Sequence, residues 1–429
     1  MSVVLFTALL VTMVIGVPIA VAIGLSTMLA VLVDGRFSLM LIPQKFFSGL
    51  DSFPLLAIPL FILAAELMAG GRLTETLLRF ATACIGHIRG GLGHANILTM
   101  TFFSGISGSA LADAAGPGAV ISKMMRQTGY HPEYAAAMTA SAAIVGPVIP
   151  PSIIMVVYAL TDSSVSIAGL FMAGIVPGIM IALSLLIVNH IISVRRNYRA
   201  GDPRPTVREF IGLTWRAFPA LLLPVIILGG IHSGVFTPTE ASAVAVAYAW
   251  LAGSFIYRTL EASKLPGILV RTAIMTASVM LIISTSEAFA WALTVLQIPQ
   301  MVSEFIVSLD LGPIGFLLAV NVFLLIFGIF MEPLPGVMIL VPILAPVAEA
   351  MGINGLQFAM IVIINLTLGM ITPPVGGLLF VTSIVTKVPM KPLVRELWPF
   401  LIAELVVLAL ITLYPGFSSW LPGVFGYTR

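Results

Sequence analysis

Apolar runs, cut by glycine, proline and short charged loops, make up nearly the whole chain. The first runs from Val3 to Val33 and stops at Asp34-Gly35-Arg36, which predicts one membrane-crossing helix. No basic residue precedes it, so it reads as a first span and not a cleaved signal peptide. Ile42 to Asp51 predicts a short re-entrant or interfacial piece, and Phe53 to Gly70 a second span carrying Glu66. From Leu73 to Arg89, Arg72, Arg79 and Arg89 alternate with Leu73, Leu77, Leu78 and Ile85, the pattern of an amphipathic helix lying on the membrane surface.

Gly91 to Met125 does not have the pattern of a simple span. Its middle, Ser104-Gly105-Ile106-Ser107-Gly108-Ser109-Ala110, is small and polar, and Asp113, Gly116, Pro117 and Gly118 follow. Arg89 stands before it and Lys123 and Arg126 after it. The positive-inside rule places both ends in the cytoplasm, which predicts a re-entrant hairpin over 91–126 with its tip at midplane. A broken helix is expected over 131–160: Tyr134 to Val145, a break at Gly146-Pro147-Val148-Ile149-Pro150-Pro151, then Ser152 to Leu160. Proline removes a backbone donor and clashes with the preceding turn, so the helix cannot continue. After Asp162, Ile167 to Ser193 returns to the inside.

The loop that follows carries Arg195, Arg196, Arg199, Arg204, Arg208 and Arg216 against Asp202 and Glu209, a cytoplasmic signature. Ala217 to Ile231 crosses outward, Ala241 to Ile256 returns, Leu265 to Arg271 reads as a second amphipathic connector, and Thr272 to Leu296 goes out with Glu287. Residues 311–351, flanked by Glu304, Asp310 and Glu349 and centred on Gly328-Ile329-Phe330-Met331-Glu332-Pro333-Leu334-Pro335-Gly336, predict a second hairpin entering from outside. A second broken helix is expected over 355–387, interrupted at Gly369-Met370-Ile371-Thr372-Pro373-Pro374 and ending at the basic Lys387, Lys391 and Arg395. Leu397 to Tyr414 is the last span.

The halves echo one another. Gly146 and Gly369 lie 223 residues apart, as do Gly105-Ile106 and Gly328-Ile329. Pro117-Gly118 pairs with Pro335-Gly336 at 218, which predicts a first hairpin tip five residues longer than the second. Because the first half begins and ends inside, the extra span Ala217 to Ile231 inverts the second. The expected fold is thus an all-α polytopic membrane protein. Its parts are a first inverted repeat (1–193), a basic loop with a linking span (194–234), and a second inverted repeat (235–429), with two re-entrant hairpins and two broken helices.

Composition agrees. Hydrophobic residues are 59% of the chain, charged residues 9%, and mean hydropathy is +1.12, where soluble domains are about a quarter charged. The net charge of +2 is no sign of a nucleic-acid partner, because the arginines fall in loops at membrane ends. Cys84 is the one cysteine, which excludes an intrachain disulfide framework and a thiolate metal cluster.

Helix interruptions at membrane depth free backbone carbonyls and amides, which persist where they line a cavity or hold an ion. Those carbonyls, with the hydroxyls of Ser104, Ser107, Ser109 and Thr372, make an oxygen-only cage suited to a hard cation such as Na⁺, and neither histidine nor cysteine stands at the tips to favour a transition metal. An isolated proline pair is a kink in a packed helix; two at matched offsets, each pairing with its own hairpin tip, favour two similar cation sites. Asp113 and Glu332 beside the tips are either functional carboxylates or caps of half-helix N-termini, and the roles are compatible. Glu66, Glu287 and Glu404 read as structural or interfacial. His87, His94, His131, His190 and His232 lack ligand spacing, and the Asn365-Leu366-Thr367 sequon is a chance match in an apolar segment. No nucleophile–base arrangement or phosphate-cradling loop is found, so no catalytic residue is assigned.

Ser104 to Pro117, Gly146 to Ser152, Gly328 to Pro335 and Gly369 to Gly376 together resemble the large membrane subunit of tripartite ATP-independent periplasmic (TRAP) transporters, the M or DctM-type permease, over essentially the whole chain. The resemblance implies an elevator-type transporter in a bacterial inner membrane. Its implied partners are a small four-helix Q subunit and a soluble periplasmic substrate-binding P protein. It implies Na⁺ as coupling ion and a carboxylate substrate of the C4-dicarboxylate or sialic acid class. By the family pattern Na⁺ falls to Ser104, Ser107, Gly328, Gly369 and Thr372 at one site and to Gly108, Gly146 and Ile149 at the other, with Ser109, Asp113, Pro147, Pro150, Pro151, Glu332, Pro373 and Pro374 in the surrounding tip region. Phe330, Met331 and Glu332 stand where the first hairpin has serines, so strict symmetry is not expected. The competing readings are a single-component Na⁺-coupled dicarboxylate symporter and an intramembrane enzyme.

Overall fold

A computed structural model describes residues 1–68, 71–198, 204–258, 260–308 and 311–427, without the side chains of residues 71, 72, 303, 306 and 307. Gly70, Arg199, Asp202, Asp310 and the Arg72 side chain lie outside the described part. All the elements described are helical.

The chain opens with α1 (Ser2–Val14) and α2 (Ile19–Asp34), which pack against each other. The single span expected from Val3 to Val33 is therefore two helices. Gly16 takes the left-handed conformation at φ +86, and Pro18, with no N–H to give, caps the second helix. Next come α3 (Leu41–Leu50), a 3₁₀ turn (Phe53–Leu56) and α4 (Ala57–Met68), with a 63° bend after α3. Then α5 (Gly71–Ile85) leads to α6 (Gly91–Ser107), α7 (Ala110–Asp113), a π turn (Ala114–Gly118) and α8 (Ala119–Gln127). The first proline break separates α9 (Pro132–Ala143) from α10 (Ile153–Thr161), and α11 (Ile167–Arg195) follows.

The linking helix α12 (Val207–His232) is longer than the apolar run predicts, because Thr206 and Glu209 form a capping box a full three turns earlier. After α13 (Pro238–Leu251) and its π turn (Ala252–Ile256), α14 (Leu265–Val295) runs unbroken. Leu265 to Arg271 is thus no separate connector. Pro266 sits at the helix start, where its missing N–H is not needed. The rest is α15 (Ile298–Ser308), α16 (Gly312–Phe330), α17 (Pro333–Ala350), α18 (Gly355–Gly369), the second proline break, α19 (Gly377–Thr386), α20 (Met390–Leu413) and α21 (Gly416–Val424). Among the described residues seven helices are long and apolar enough to cross a membrane.

Helix ends recur at the 223-residue interval. α6 and α16 end at Ser107 and Phe330, the stretch from Ala110 to Gln127 matches α17 from Pro333 to Ala350 at both ends, and α11 and α20 begin at Ile167 and Met390. Gly108-Ser109 and Met331-Glu332 are therefore tips of equal length, which corrects the longer first tip and the 218-residue pairing behind it. Pro117 lies inside the π turn, whereas Pro335 lies in the first turn of α17, so the two prolines answer different local needs.

The two helices leading into the breaks are the most buried. Every residue from Tyr134 to Ala143 in α9 and from Leu356 to Gly369 in α18 is buried. Alanines at 135, 136, 137, 140, 142 and 143 let neighbouring helices approach α9 closely, the mode of association expected where lipid removes any hydrophobic drive between helices. The outer helices leave apolar side chains such as Val225, Ile326 and Val406 exposed, as a lipid-facing surface requires.

Candidate functional site

At the first break the backbone tightens before it stops. Gly146 N–H donates to Ala143 O at 3.1 Å, and Val148 and Ile149 N–H both donate to Val145 O, at 3.1 and 3.0 Å. Pro147 and a cis Pro150-Pro151 peptide carry the chain out of the helix. The Ser152 hydroxyl, fully buried, donates to Pro147 O at 2.7 Å and restarts the helix as its cap.

The tip between α6 and α7 lies against this break. Gly108 holds φ +60, and a Cβ there would stand 2.8 Å from Pro151 O; a Cβ on Gly146 would stand 2.8 Å from Asp113 Oδ2. The Ser107 hydroxyl donates to Asp113 Oδ1, and Ser109 N–H donates to Ser107 Oγ at 3.3 Å. Ser109 Oγ accepts from Ala112 N–H at 3.4 Å, so Ser109, not Asp113, caps α7. Asp113 is completely buried, and its Oδ2 has no hydrogen-bond donor among the described residues. A buried carboxylate oxygen without a donor, packed against the break at Gly146, is left short of a polar partner.

The second break repeats the architecture with different chemistry. Met370, Ile371 and Thr372 N–H donate to Thr367, Leu368 and Gly369 carbonyls at 3.1, 3.1 and 3.0 Å, and a cis Pro373-Pro374 peptide follows. The Thr372 hydroxyl donates to Leu368 O at 2.8 Å, which leaves its oxygen lone pairs as acceptors. Leu378 N–H reaches back to Met370 O at 3.0 Å across Gly376, held at φ +53. A Cβ on Gly369 would collide with the Gly328 backbone. Met331 is buried, whereas Phe330 and Glu332 are exposed, and Glu332 stands at the N-cap of α17 without a side-chain cap bond.

The candidate residues thus fall into two groups. Ser107, Gly108, Asp113, Gly146 and Pro151 meet at the first break, and Gly328, Gly369 and Thr372 at the second. Ser104 gives its hydroxyl to Met100 O of its own helix at 2.7 Å. The Ile149 side chain packs on Gly178 of α11.

A cavity of about 720 Å³ reaches both tips. Ser107, Ser109, Glu332 and Met370 face Glu66 of α4 and Ser278 of α14 across it. Further along α14 a second cavity, of about 680 Å³, is bordered by Asp162, Glu287 and Glu349. The two meet α14 on consecutive stretches that divide between Ile282 and Ile283.

Some features had no signal in the sequence. Asn365 of the discounted sequon donates to Asn321 Oδ1 at 2.6 Å, Asn321 donates to Thr412 Oγ1 at 3.0 Å, and Gln357 donates to Thr412 O at 2.9 Å, a polar seam joining α16, α18 and α20. Glu404 is fully buried, and Glu66 pairs with Arg271 at 2.8 Å. His94 and His190, ninety-six positions apart, bring their ring centroids to 5.9 Å. Contacts between helices distant in sequence leave no local pattern to read.

Comparison with known proteins follows the same lines. The family described as "Tripartite ATP-independent periplasmic transporter, DctM component" matches residues 6–417. The DctM large permease of a C4-dicarboxylate TRAP transporter from Pseudomonas aeruginosa is 42% identical over 405 residues, covering 94% of each chain. The SiaM large permease of a sialic acid TRAP transporter from Vibrio cholerae is 41% identical over 385 residues, covering 90% of each. The isethionate TRAP permease DctMQ of Oleidesulfovibrio alaskensis is 36% identical, and the match covers 98% of this chain and 66% of that longer protein. Among solved structures, the YdaH transporter of Alcanivorax borkumensis shares the fold at a TM-score of 0.60 and 14% identity, over 89% of this chain and 88% of that one. These relatives are transport permeases, which displaces the enzyme and single-component readings: the chain belongs to the DctM-component family of TRAP transporters, as a large permease.

Proposed function

We propose that this permease takes up a small organic carboxylate in symport with Na⁺, across a bacterial inner membrane, from a periplasmic binding protein and beside a small four-helix membrane subunit. The substrate class is that of the relatives named for C4-dicarboxylates and sialic acid. The observation that carries the reading is the double meeting of a proline break with a tip, Gly146 at Asp113 and Gly369 at Gly328. Na⁺ suits both. At the first, Asp113 Oδ2, Ser107 and helix-end carbonyls are oxygen donors; at the second, carbonyls and Thr372 are.

In this reading 91–126 and 311–351 are re-entrant hairpins of inverted repeats, 1–193 and 235–429, joined by 194–234. The tips and broken helices move as one elevator body against α4 and α14, with the larger cavity open to the cytoplasm. The test is uptake of labelled carboxylates, succinate and sialic acid among them, into proteoliposomes holding permease and small subunit. A Na⁺ gradient and a binding protein are each supplied or withheld. Uptake that needs both is expected; uptake indifferent to both overturns the proposal.

A further inference from the structure

We propose that Arg271 receives the substrate's carboxylate at the mouth of the larger cavity, exchanging Glu66 for it. This rests on the carboxylate reading above. The cavity that reaches Ser107 and Ser109 has Glu66 and Glu332 as its charged lining, and no lysine or arginine among the described residues. An organic anion in such a place, away from bulk water, needs a countercharge. The second cavity offers none either: among its described lining residues the charges are Asp162, Glu287 and Glu349.

Helix periodicity sets one cation beside this cavity. Met275 and Val279 of α14 face the larger cavity, and Arg271 lies one turn before Met275 on the same stripe. Its Nε holds Glu66 Oε2 at 2.8 Å, while both terminal guanidinium nitrogens have no protein acceptor among the described residues. Glu66 itself lines the cavity and is 20% exposed in its side chain, against 58% for Arg271. The half-used fork is thus the more exposed partner of the pair. A planar guanidinium binds a carboxylate in two parallel hydrogen bonds, which Glu66 does not use. A substrate leaving the tips finds this fork next. Released Glu66 meets water at the mouth, so the exchange strands no charge.

The test is counterflow in the same proteoliposomes, with the carboxylate titrated on the cytoplasmic face. R271Q is expected to raise the half-saturating concentration about tenfold, the loss of one charged bidentate contact. R271K is expected to fall between it and wild type, because an ammonium lacks the fork. E66Q is expected to move the other way, about threefold lower, because it removes the competitor. A pair that merely ties α4 to α14 predicts the same change for R271Q and E66Q; equal shifts, or none, overturn the proposal. If wild-type protein takes up no carboxylate of the panel under a Na⁺ gradient with binding protein, the substrate reading itself fails.

Discussion

Gly369 is the position where the contact between break and tip is tightest, and its replacement by alanine is a quantitative test of that contact. An added Cβ would stand 2.6 Å from Gly328 O and closer still to the neighbouring backbone atoms. Backbone cannot swing aside as a flexible side chain does, so overpacking of this kind costs about 1–3 kcal/mol. Gly369 is the last residue of α18, where alanine returns up to about 0.5–1 kcal/mol of helix preference. The net expectation is a loss of about 1–2 kcal/mol. The partner position behaves differently. A Cβ on Gly328 would meet Gly369 Cα at 3.2 Å and Leu366 Cα at 3.3 Å, contacts relieved by a few tenths of an ångström. Gly328→Ala should therefore fall within about 0.5 kcal/mol of wild type, the helix gain offsetting the squeeze. Equilibrium unfolding in mixed detergent and SDS measures both, and Na⁺-driven uptake shows whether separating the segments also weakens coupling. Equal stability of the two variants would refute the close approach.

Gly108→Ala should be at least about 1 kcal/mol more destabilising than Gly16→Ala in the same assay. Both glycines hold positive φ, but only Gly108 would press a Cβ on Pro151 O, at 2.8 Å, while Gly16 has open space. Ser107→Ala removes the donor to Asp113 and should raise the Na⁺ concentration for half-maximal uptake several-fold with normal membrane insertion; an unchanged Na⁺ titration removes Ser107 from the site. Thr412→Val takes one hydrogen bond from the seam under α16 and should lower stability by about 0.6–1.7 kcal/mol. Asn321→Leu, which loses the bonds to Thr412 and Asn365, should cost more; identical values for these two would mean that the seam does not act as a connected network.

What the sequence made legible depended on how local the cause was. Pro147, Pro150, Pro151, Pro373 and Pro374 break helices by their own covalent structure, so both breaks appear at the expected residues. The break at Gly16 and Pro18 has the same cause, but it was masked by the unbroken hydrophobicity of Val3 to Val33. A dipeptide match drew Pro117 to Pro335, although backbone register, which only the helix ends reveal, pairs Asp113 with Gly336. The duplicated frame is therefore chemically unequal: the carboxylate beside the first tip, Asp113, is fully buried against the break, whereas Glu332 at the second is exposed. The Asn321 seam and the Arg271–Glu66 pair join residues 91 and 205 positions apart, and no spacing within one helix announces them.

The unbroken α14 doubles as a ruler. Its 31 residues measure about 46 Å, longer than the roughly 30 Å hydrocarbon layer. One cavity meets it from Ile274 to Ile282 and the other from Ile283 to Thr294. The midpoints of these stretches are some ten residues apart, about 15 Å at the helical rise. In the proposed elevator reading, a body that carries cargo from one chamber to the other along this rod travels that far, about half the thickness of the barrier. The remaining half is spanned by the two chambers themselves.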